Sequence, residues 1–544
     1  MNGGLAEGLL VGVVAAPLAL LALCLARPAR PTLPALLAVA PLPAVAAAVL
    51  ALSGPALEVD VPSLRLSLRL DTPGALLLCP AALLWSAAGL WAAGWLRQQG
   101  AARLRFLGCW LLTMTGSLGI FAVADLPGFY FFFALVSLPA YGLIVHADTA
   151  AARRAGAVYI AFAVLGEALL LLGFVLLAAG VPGGSLEIRD VMAALPASPW
   201  RTSAIVFTAA GFLFKTGAVP VHVWMPPTYT AAPIPAAAAL SGAAVKAGVI
   251  GLLRFLPFDD VGLASALVLV GLASAFYGVT VGLMQVNPRT VLAYSSISQM
   301  GVIATLLGMG WAATDATVRL DAAFYAANHA LAKGGLFLAV GVMAGRADRY
   351  GRATLAAAAV LALGLGGLPL TGGALAKQVA KSTLGDGVVG GLALASTVGT
   401  ALLMSHFLAT LARKASQHPE PAPGAAGLWA WRATAAAAVG LPWLLYGIVA
   451  GDPAAALAPA VLLAAAWPVA AGVGLWFVLR PWLDRLPRLP AGDGLAMLET
   501  VFVSVCRLGD AAMWLDLRWR AWPLAGVSLL AVALVLTIAT ASRG

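Results

Sequence analysis

The sequence has 544 residues, of which 62% are hydrophobic and only 10% are charged, and it carries a formal net charge of +10. A soluble globular chain is about 25% charged, so this composition excludes an ordinary soluble protein, and we attribute the positive charge to arginines at helix ends rather than to nucleic-acid binding. The four cysteines form no Cys-X-X-Cys pair, and we therefore expect no disulfide, zinc or iron–sulfur site and no cofactor.

Apolar runs of about 20 residues recur along the whole chain, and each is long enough to cross the hydrocarbon core as a helix. Alternating β patterning is absent over most of the chain, so helices must satisfy the backbone hydrogen bonds. We predict an all-α polytopic membrane protein with about 14–16 transmembrane helices. The candidate spans lie at residues 5–26, 32–52, 74–96, 106–124, 128–146, 157–180, 202–222, 234–256, 262–285, 290–310, 320–344, 354–382, 388–411, 428–450, 456–479 and 522–541.

The N-terminal region, residues 1–105, contains transmembrane helices and one segment of a different kind. Met1–Gly8 lacks the basic stretch of a cleavable signal, so we expect the first apolar run to be retained as a helix. Residues 58–71, EVDVPSLRLSLRLD, alternate apolar and polar side chains. This alternation predicts a β-hairpin on the external side of the membrane.

Basic residues are concentrated in the connections that follow odd-numbered spans, for example at Arg27, Arg97 and Arg153. Cytoplasmic loops carry an excess of lysine and arginine, so these connections are predicted to face the cytoplasm. Both termini are then predicted to lie on the periplasmic or external side.

The six lysines all lie between residues 215 and 414, and Lys215, Lys246, Lys333 and Lys377 lie inside apolar spans. A charge at the centre of a bilayer costs about 3 kcal/mol or more, which makes a function the default hypothesis for such a residue. Arginine stays protonated almost everywhere, whereas a lysine that is removed from water can exchange its proton. The lysines therefore predict a path for protons or another small cation.

Residues 106–257 and 258–412 have similar arrangements of polar residues. Lys215 lies in GFLFKTGAVPVHVW and Lys377 lies in LPLTGGALAKQVAK, and each segment combines glycine, proline and one lysine in an apolar run. This combination is typical of a discontinuous helix, with the breaks at Pro220 and Pro369. Each unit has five helices, an odd number, so the two units are predicted to insert with opposite topology as an inverted repeat.

Further polar residues extend the lysine series through the membrane. Lys246 follows Lys215 by 31 residues, and His406 follows Lys377 by 29. The predicted translocation residues are Glu167, Lys215, Lys246, His329, Lys333, Lys377 and His406. Residues 413–544 are predicted to form C-terminal helices, with an amphipathic segment near 494–520 on the cytoplasmic surface.

Four segments carry a resemblance to a known family. They are KTGAVPVHVWMPPTYTAAPIPAAAALSGAAVKAGVIGLLRFL at 215–256, QVNPRTVLAYSSISQMG at 285–301, NHALAK at 328–333 and GLPLTGGALAK at 367–377. In this order they resemble the proton-translocating antiporter-like subunits of respiratory complex I, the large subunits of Mrp-type sodium/proton antiporters and the membrane subunits of group 4 membrane-bound hydrogenases. The resemblance covers roughly residues 110–410, and NHALAK is more similar to the Mrp and hydrogenase branch.

The resemblance implies roles for individual residues. Lys215 matches the broken-helix lysine of the first half-channel, Lys246 the connecting lysine, His329 and Lys333 the central axis, and Lys377 the exit side. It also implies a bacterial cytoplasmic (inner) membrane protein that transports H⁺, with Na⁺ as the other candidate ion. Its implied partners are other membrane subunits of a multi-subunit complex, together with a cytoplasmic redox or zinc-containing module. No redox centre is expected in this chain.

One position departs from the pattern of the family that the sequence resembles. Family members usually carry a glutamate in a segment like FFWELMSL, where it pairs with the broken-helix lysine. Here the segment is FFFALVSL at 131–138, with Ala134 at the glutamate position. Glu167 and a partner subunit are the two candidate substitutes.

The leading hypothesis is a proton-translocating or sodium/proton-translocating antiporter-like subunit of a larger membrane complex. A second hypothesis makes the chain the cation-conducting membrane partner of a zinc-containing complex for CO₂ or bicarbonate uptake. A third is a transport-inactive scaffold subunit, which the absence of the span-five glutamate would suggest. A membrane enzyme such as a lipid-linked transferase is disfavoured, because the loops are short and poor in acidic and histidine clusters.

Overall fold

The computed structural model describes residues 3–30, 32–100, 102–257, 260–344, 349–415, 424–483 and 485–492, together with 494, 513, 514, 527 and 530–532. The chain divides into two units, Met1–Ala491 and Gly492–Gly544. In the second unit, Met513 and Trp514 are helical and exposed. The amphipathic segment predicted at 494–520 and the span predicted at 522–541 fall almost entirely outside the described residues.

The N-terminal region packs four longer helices beside one β-hairpin. The span predicted at 32–52 is two helices, because Pro41 and Pro43 lack the N–H groups that a continuous helix needs. The elements are α1 (Gly3–Leu23), α2 (Leu33–Leu36), α3 (Leu42–Ser53), β1 (Leu57–Val61), β2 (Leu66–Leu70), α4 (Thr72–Leu96) and α5 (Ala102–Gly119).

The hairpin occupies the residues for which alternation predicts it, and Leu57 pairs with Leu70 in an antiparallel register. It joins the helical body through a backbone bridge between Leu68 and Val123, and a neighbouring bridge pairs Asp125 with Glu187. The carboxylate of Asp125 accepts hydrogen bonds from Gly128 N at 2.7 Å and from Ser67 N at 2.9 Å. Asp125 therefore both caps the following helix and holds the hairpin against it.

The next region runs from the hairpin junction to the lysine at 246. Its elements are α6 (Leu126–Ser137), α7 (Ala140–Ile144), α8 (Ala150–Ala179), α9 (Ile188–Ala194), α10 (Arg201–Thr216), α11 (Met225–Ala231), α12 (Ile234–Ala239) and α13 (Lys246–Phe255). A π-helical turn, Leu240–Ala244, joins α12 to α13. Such turns disrupt the regular hydrogen-bond ladder and are frequent at functional sites.

The remaining described elements form the second half of the body and its C-terminal helices. They are α14 (Val261–Leu283), α15 (Pro288–Ala312), α16 (Val318–Ala344), α17 (Arg349–Leu365), α18 (Gly372–Leu384), α19 (Val388–Ala415), α20 (Ala425–Ala450) and α21 (Pro459–Leu483).

Within the described residues, 11 helical segments are long and apolar enough to cross a membrane. They correspond to all the predicted spans except 32–52, 106–124, 202–222, 354–382 and 522–541. The first four of these exceptions are short, charged or interrupted helices, and the fifth lies outside the described residues. The chain is a polytopic all-α membrane protein, as the composition predicts.

The helices differ in how far the rest of the protein surrounds them. The apolar windows of Ile234–Phe255, α15 and α16 are completely buried, whereas most of α1 and α21 is exposed. Lys246 and Lys333 lie on the surrounded helices and have no exposed surface. They are therefore held by protein rather than by lipid, which is where intramembrane charges are tolerated.

Candidate functional site

The first predicted helix break is an interruption between α10 and α11. α10 ends at Thr216, and Gly217 closes it with φ of +70°, a left-handed conformation that glycine adopts without strain. Pro220 lies within the following turns, and α11 starts at Met225. Interrupted backbone is tolerated at membrane depth only where protein or water covers it. The break thus places Lys215 in the last turn of an interrupted helix.

The second predicted break separates α17 from α18. Gly367 and Leu370 both have positive φ values, +95° and +64°, and Pro369 lies between them. Lys377 then lies in the second turn of α18. The two lysines differ in their position relative to the break, because Lys215 precedes it and Lys377 follows it.

Lys215 lies in the last turn of α10 and is 8% exposed. Its Nζ donates a hydrogen bond to Ser137 Oγ at 2.8 Å and lies 5.8 Å from the centre of the Phe133 ring and 5.9 Å from that of Tyr159. A cavity of about 20 Å³ adjoins the amine and is lined by these residues. That volume accommodates about one water molecule, so the lysine is nearly dry.

Glu167, on α8, is the carboxylate that reaches Lys215. Its charge acts on the Lys215 amine, and its Oε1 is buried with no hydrogen-bond partner among the described residues. Among those residues the two groups form no ion pair within 4 Å. The Ser137 hydroxyl accepts from Lys215 Nζ and donates its one proton to the Phe133 carbonyl oxygen at 2.9 Å, so Glu167 acts on Lys215 through its charge. Ser137 lies three residues after Ala134 on α6, which places both on one helix face. A carboxylate on a neighbouring helix thus acts on Lys215, where Ala134 supplies none.

Lys246 and His329 form the central contact of the site. Lys246 Nζ lies 2.8 Å from Nδ1 of His329, and neither residue has exposed surface. Gly242, in the π-helical turn, makes the approach feasible, because a Cβ atom there would lie 2.6 Å from the carbonyl oxygen of Ala330. His329 Nε2 is buried and has no hydrogen-bond partner among the described residues.

Lys333 lies one turn beyond His329 on α16 and is also fully buried. Its Nζ donates to the carbonyl oxygen of Leu292 on α15 at 2.8 Å. The charges of Lys246 and Lys333 both act on His329. The centre of the protein therefore holds three basic groups, with no carboxylate hydrogen-bonded to them in the described part of the chain.

Lys377 contacts α16 and α19 and lines a cavity of about 410 Å³. Its Nζ donates to Thr397 Oγ1 at 3.0 Å and to the Tyr325 hydroxyl at 3.4 Å. Tyr325 lies one turn before His329 on α16. One helix, α16, therefore carries His329, Lys333 and a contact of Lys377.

His406 does not occupy a place equivalent to that of Lys246. Its Nε2 contacts the backbone oxygen of Gln285 at 2.8 Å, at the connection between α14 and α15. Lys246, by contrast, contacts a titratable side chain. The similar spacings, 31 and 29 residues from the two broken-helix lysines, do not produce equal surroundings.

The predicted residues thus fall into three groups that lie on different sets of helices. Glu167 and Lys215 form the first, Lys246 with His329 and Lys333 the second, and Lys377 the third. Gly248 on α13 packs against Thr216 and Lys215, so the first two groups lie on adjoining helices. α16 connects the second group to the third.

Three polar side chains that contact the lysines were absent from the sequence predictions: Ser137, Tyr325 and Thr397. Gln299, which accepts from Tyr325, was absent as well. Gln299 lies inside the segment LAYSSISQMG, which carries the family resemblance. The signal that could have identified it is its place on α15, a helix whose central window is wholly buried, where a polar side chain needs a partner.

Residues 123–403, just over half of the chain, match the family described as NADH:quinone oxidoreductase/Mrp antiporter, TM. Hydrogenase-4 component B of Escherichia coli is 29% identical over 299 residues, which cover 52% of this chain and 44% of that protein. NADH-quinone oxidoreductase subunit N of Desulforudis audaxviator is 32% identical over 257 residues, or 45% of this chain and 48% of that one. The matched region thus spans less than half of each of these relatives.

Two solved structures have the same fold. The Mrp complex from Dietzia sp. includes a chain that matches with a TM-score of 0.68 at 22% identity, covering 86% of this chain and 100% of that one. A chain of the membrane-bound sulfane sulfur reductase, an archaeal respiratory membrane complex, matches with a TM-score of 0.67 at 20% identity, covering 85% of this chain and 99% of that one.

Proposed function

The chain belongs to the NADH:quinone oxidoreductase/Mrp antiporter transmembrane family, and on that premise we propose that it translocates protons as the antiporter-like subunit of a multi-subunit membrane complex. The relatives named above are components or subunits of such assemblies. We further propose that residues 106–257 and 258–412 are two inverted halves, each with one broken-helix lysine. A location in the bacterial cytoplasmic membrane with both termini outside belongs to the same proposal.

The observation that carries the proposal is the contact between Lys246 and His329. Two unit charges 2.8 Å apart would repel by about 6 kcal/mol at an effective dielectric constant of about 20. The pair therefore carries at most one positive charge. The proton that gives this charge lies between two nitrogens at hydrogen-bond distance. It passes from one to the other when the N–H bond on one nitrogen breaks as the N–H bond on the other forms, without an intervening water.

In this scheme the first half supplies protons to the Lys246–His329 pair. Lys215 is nearly dry, and the charge of Glu167 compensates that of its ammonium group. A proton that arrives at Lys246 increases the positive charge beside Lys215. The protonation of each lysine therefore affects the protonation of the other. Water must carry the proton between them, since no direct side-chain bond joins Lys215 to Lys246 within the described residues.

In this scheme the second half removes protons from the Lys246–His329 pair. Lys333 lies one turn from His329, and Lys377 lies at the cavity of about 410 Å³. Because Lys333 and the Lys246–His329 pair repel, a proton on one favours departure from the other. The chain provides no redox centre in this scheme; partner subunits would supply the driving reaction or a counter-ion.

The test is ion flux in proteoliposomes that contain the purified complex with variants of this chain. Lys246→Ala is expected to reduce proton translocation by at least tenfold. Arg153→Ala, which removes an exposed charge paired with Asp148, serves as the control. Parallel measurements with Na⁺ and K⁺ gradients identify the ion. Wild-type flux of every ion in Lys246→Ala and Lys377→Ala would favour the scaffold hypothesis and overturn the proposal.

A further inference from the structure

Lys377 is connected to the protein interior by a chain of hydrogen bonds between side chains. The Tyr325 hydroxyl, which accepts from Lys377 Nζ, bonds Gln299 Oε1 at 2.9 Å. Gln299 Nε2 in turn bonds Thr400 Oγ1 at 3.1 Å. Tyr325, Gln299 and Thr400 are each at most 3% exposed. These three residues are called the inner chain below.

The direction of hydrogen-bond donation along the inner chain is set at Thr400. The Thr400 hydroxyl donates its one proton to the backbone oxygen of Ser396 at 2.8 Å, and a carbonyl oxygen can only accept. Thr400 Oγ1 is thus limited to accepting from Gln299, which must present its NH₂ group. The oxygen of the Gln299 amide then faces Tyr325.

The same reasoning fixes the contacts of Lys377. Gln299 Oε1 cannot donate, so the Tyr325 hydroxyl gives its only proton to Gln299 and offers Lys377 an acceptor. The Thr397 hydroxyl likewise donates to the backbone oxygen of Ala393 at 3.1 Å and accepts from Lys377. Tyr325 and Thr397 can therefore only accept hydrogen bonds from Lys377.

We propose that Gln299, held by Thr400, acts as a positioning residue that closes the inner side of Lys377. Because the proton of Tyr325 is committed to Gln299, the hydroxyl cannot pass a proton from the interior to the lysine. In this state Lys377 exchanges its proton only with the cavity that it lines. The inference rests on the proposed function, since it specifies when the exit-side lysine is isolated from the central groups.

The cavity offers Lys377 an outlet. It measures about 410 Å³, and its lining includes the polar side chains of Gln378 and Asp386, so it can hold several waters. An ammonium group has three N–H donors, of which Tyr325 and Thr397 take two. The third proton goes to a cavity water, its N–H electron pair stays on Nζ, and the lysine remains as a neutral amine.

To reverse the direction of hydrogen-bond donation along the inner chain, the Gln299 amide must rotate and the Thr400–Ser396 hydrogen bond must break. Thr400→Val removes the hydroxyl that fixes the amide while keeping the side-chain shape. The Tyr325 hydroxyl can then turn towards a neutral Lys377 amine. Its O–H bond breaks as an N–H bond forms on Nζ, and a protonated water on the interior side gives the phenolic oxygen the replacement proton. The variant should therefore leak protons through Tyr325.

The experiment measures passive proton leak in proteoliposomes of the whole complex, with a potassium diffusion potential and no driving reaction. Thr400→Val is expected to raise the leak about fivefold, which corresponds to the loss of about one net hydrogen bond. Adding Tyr325→Phe should return the leak to the wild-type level. Thr400→Ser keeps the hydroxyl and should behave as wild type. Thr410→Val is the matched control on α19, because within the described part of the chain its hydroxyl donates to the Phe407 oxygen of its own helix.

A second variant guards against a folding defect in Thr400→Val. Gln299→Leu removes the amide itself and should give the same leak, again abolished by Tyr325→Phe. A leak that persists or grows in the double variants would overturn the inference, because loosened packing needs no hydroxyl. Wild-type leak in both single variants would also overturn it. Neither result affects the proposed function, which fails only if Lys377→Ala and Lys246→Ala transport normally.

Discussion

Lys246 and His329 are 83 residues apart in the sequence, and their side-chain nitrogens lie 2.8 Å apart in the structure. The contact joins the first half of the body, which ends with α13, to α16 of the second half. Since the pair can carry only one positive charge, the proposed function makes it the point at which the two halves share a proton.

Removal of either partner should stop transport to the same extent. His329→Ala and Lys246→Ala each break the shared-proton pair, and the double variant should be no worse than either single variant, because the residues act as one unit. Proton flux in proteoliposomes gives the three values for the cycle. Additive losses, with the double variant far below both singles, would show that the residues work independently.

Glu167 should be indispensable because Ala134 supplies no acid. Glu167→Gln leaves Lys215 with Ser137 but without a compensating charge, so we expect transport to fall about tenfold or more. Ala134→Glu introduced into Glu167→Gln should recover part of the activity, because Ala134 and Ser137 lie on one face of α6. Glu187→Gln, on the hairpin side, provides a control. Normal transport by Glu167→Gln would show that another chain supplies the acid.

The π-helical turn before Lys246 should tolerate no side chain at Gly242. A Cβ atom there would lie 2.6 Å from the Ala330 oxygen, so Gly242→Ala must push the turn away from α16 and lengthen the Lys246–His329 contact. We expect a clear loss of flux with normal membrane insertion. Gly391→Ala on α19 is the control, since nothing lies within 4 Å of its added Cβ. Equal flux in the two variants would contradict the prediction.

Asp125 should contribute to stability rather than to transport. It caps α6 and holds the hairpin through Ser67, so Asp125→Ala is expected to cost about 2 kcal/mol. Thermal unfolding of the detergent-purified protein measures this as a lower midpoint. Asp190→Ala, an exposed residue in the first turn of α9, should leave the midpoint unchanged. A Lys246-like loss of flux in a normally stable Asp125→Ala protein would place the residue in the ion path instead.

Local sequence patterns accounted for much of this fold. The length of apolar runs predicts most of the helices, alternation predicts the hairpin at 58–71, and glycine with proline marks both helix breaks. These features depend on residues close together in the chain, which is why they can be read without a structure. The pattern failed at 32–52, where hydropathy is continuous but proline divides the helix.

The sequence by itself determined that this is a polytopic membrane protein of the antiporter-like family with lysines at membrane depth. Only the tertiary structure decided the partner of each lysine. Glu167 acts on Lys215 through its charge, Lys246 contacts His329, and His406, at a similar spacing from its broken-helix lysine, contacts a backbone carbonyl oxygen. Sequence spacing fixes the position of a residue along its helix, whereas its partner depends on how closely neighbouring helices approach. At Gly242 that approach is set by the absence of a single side chain.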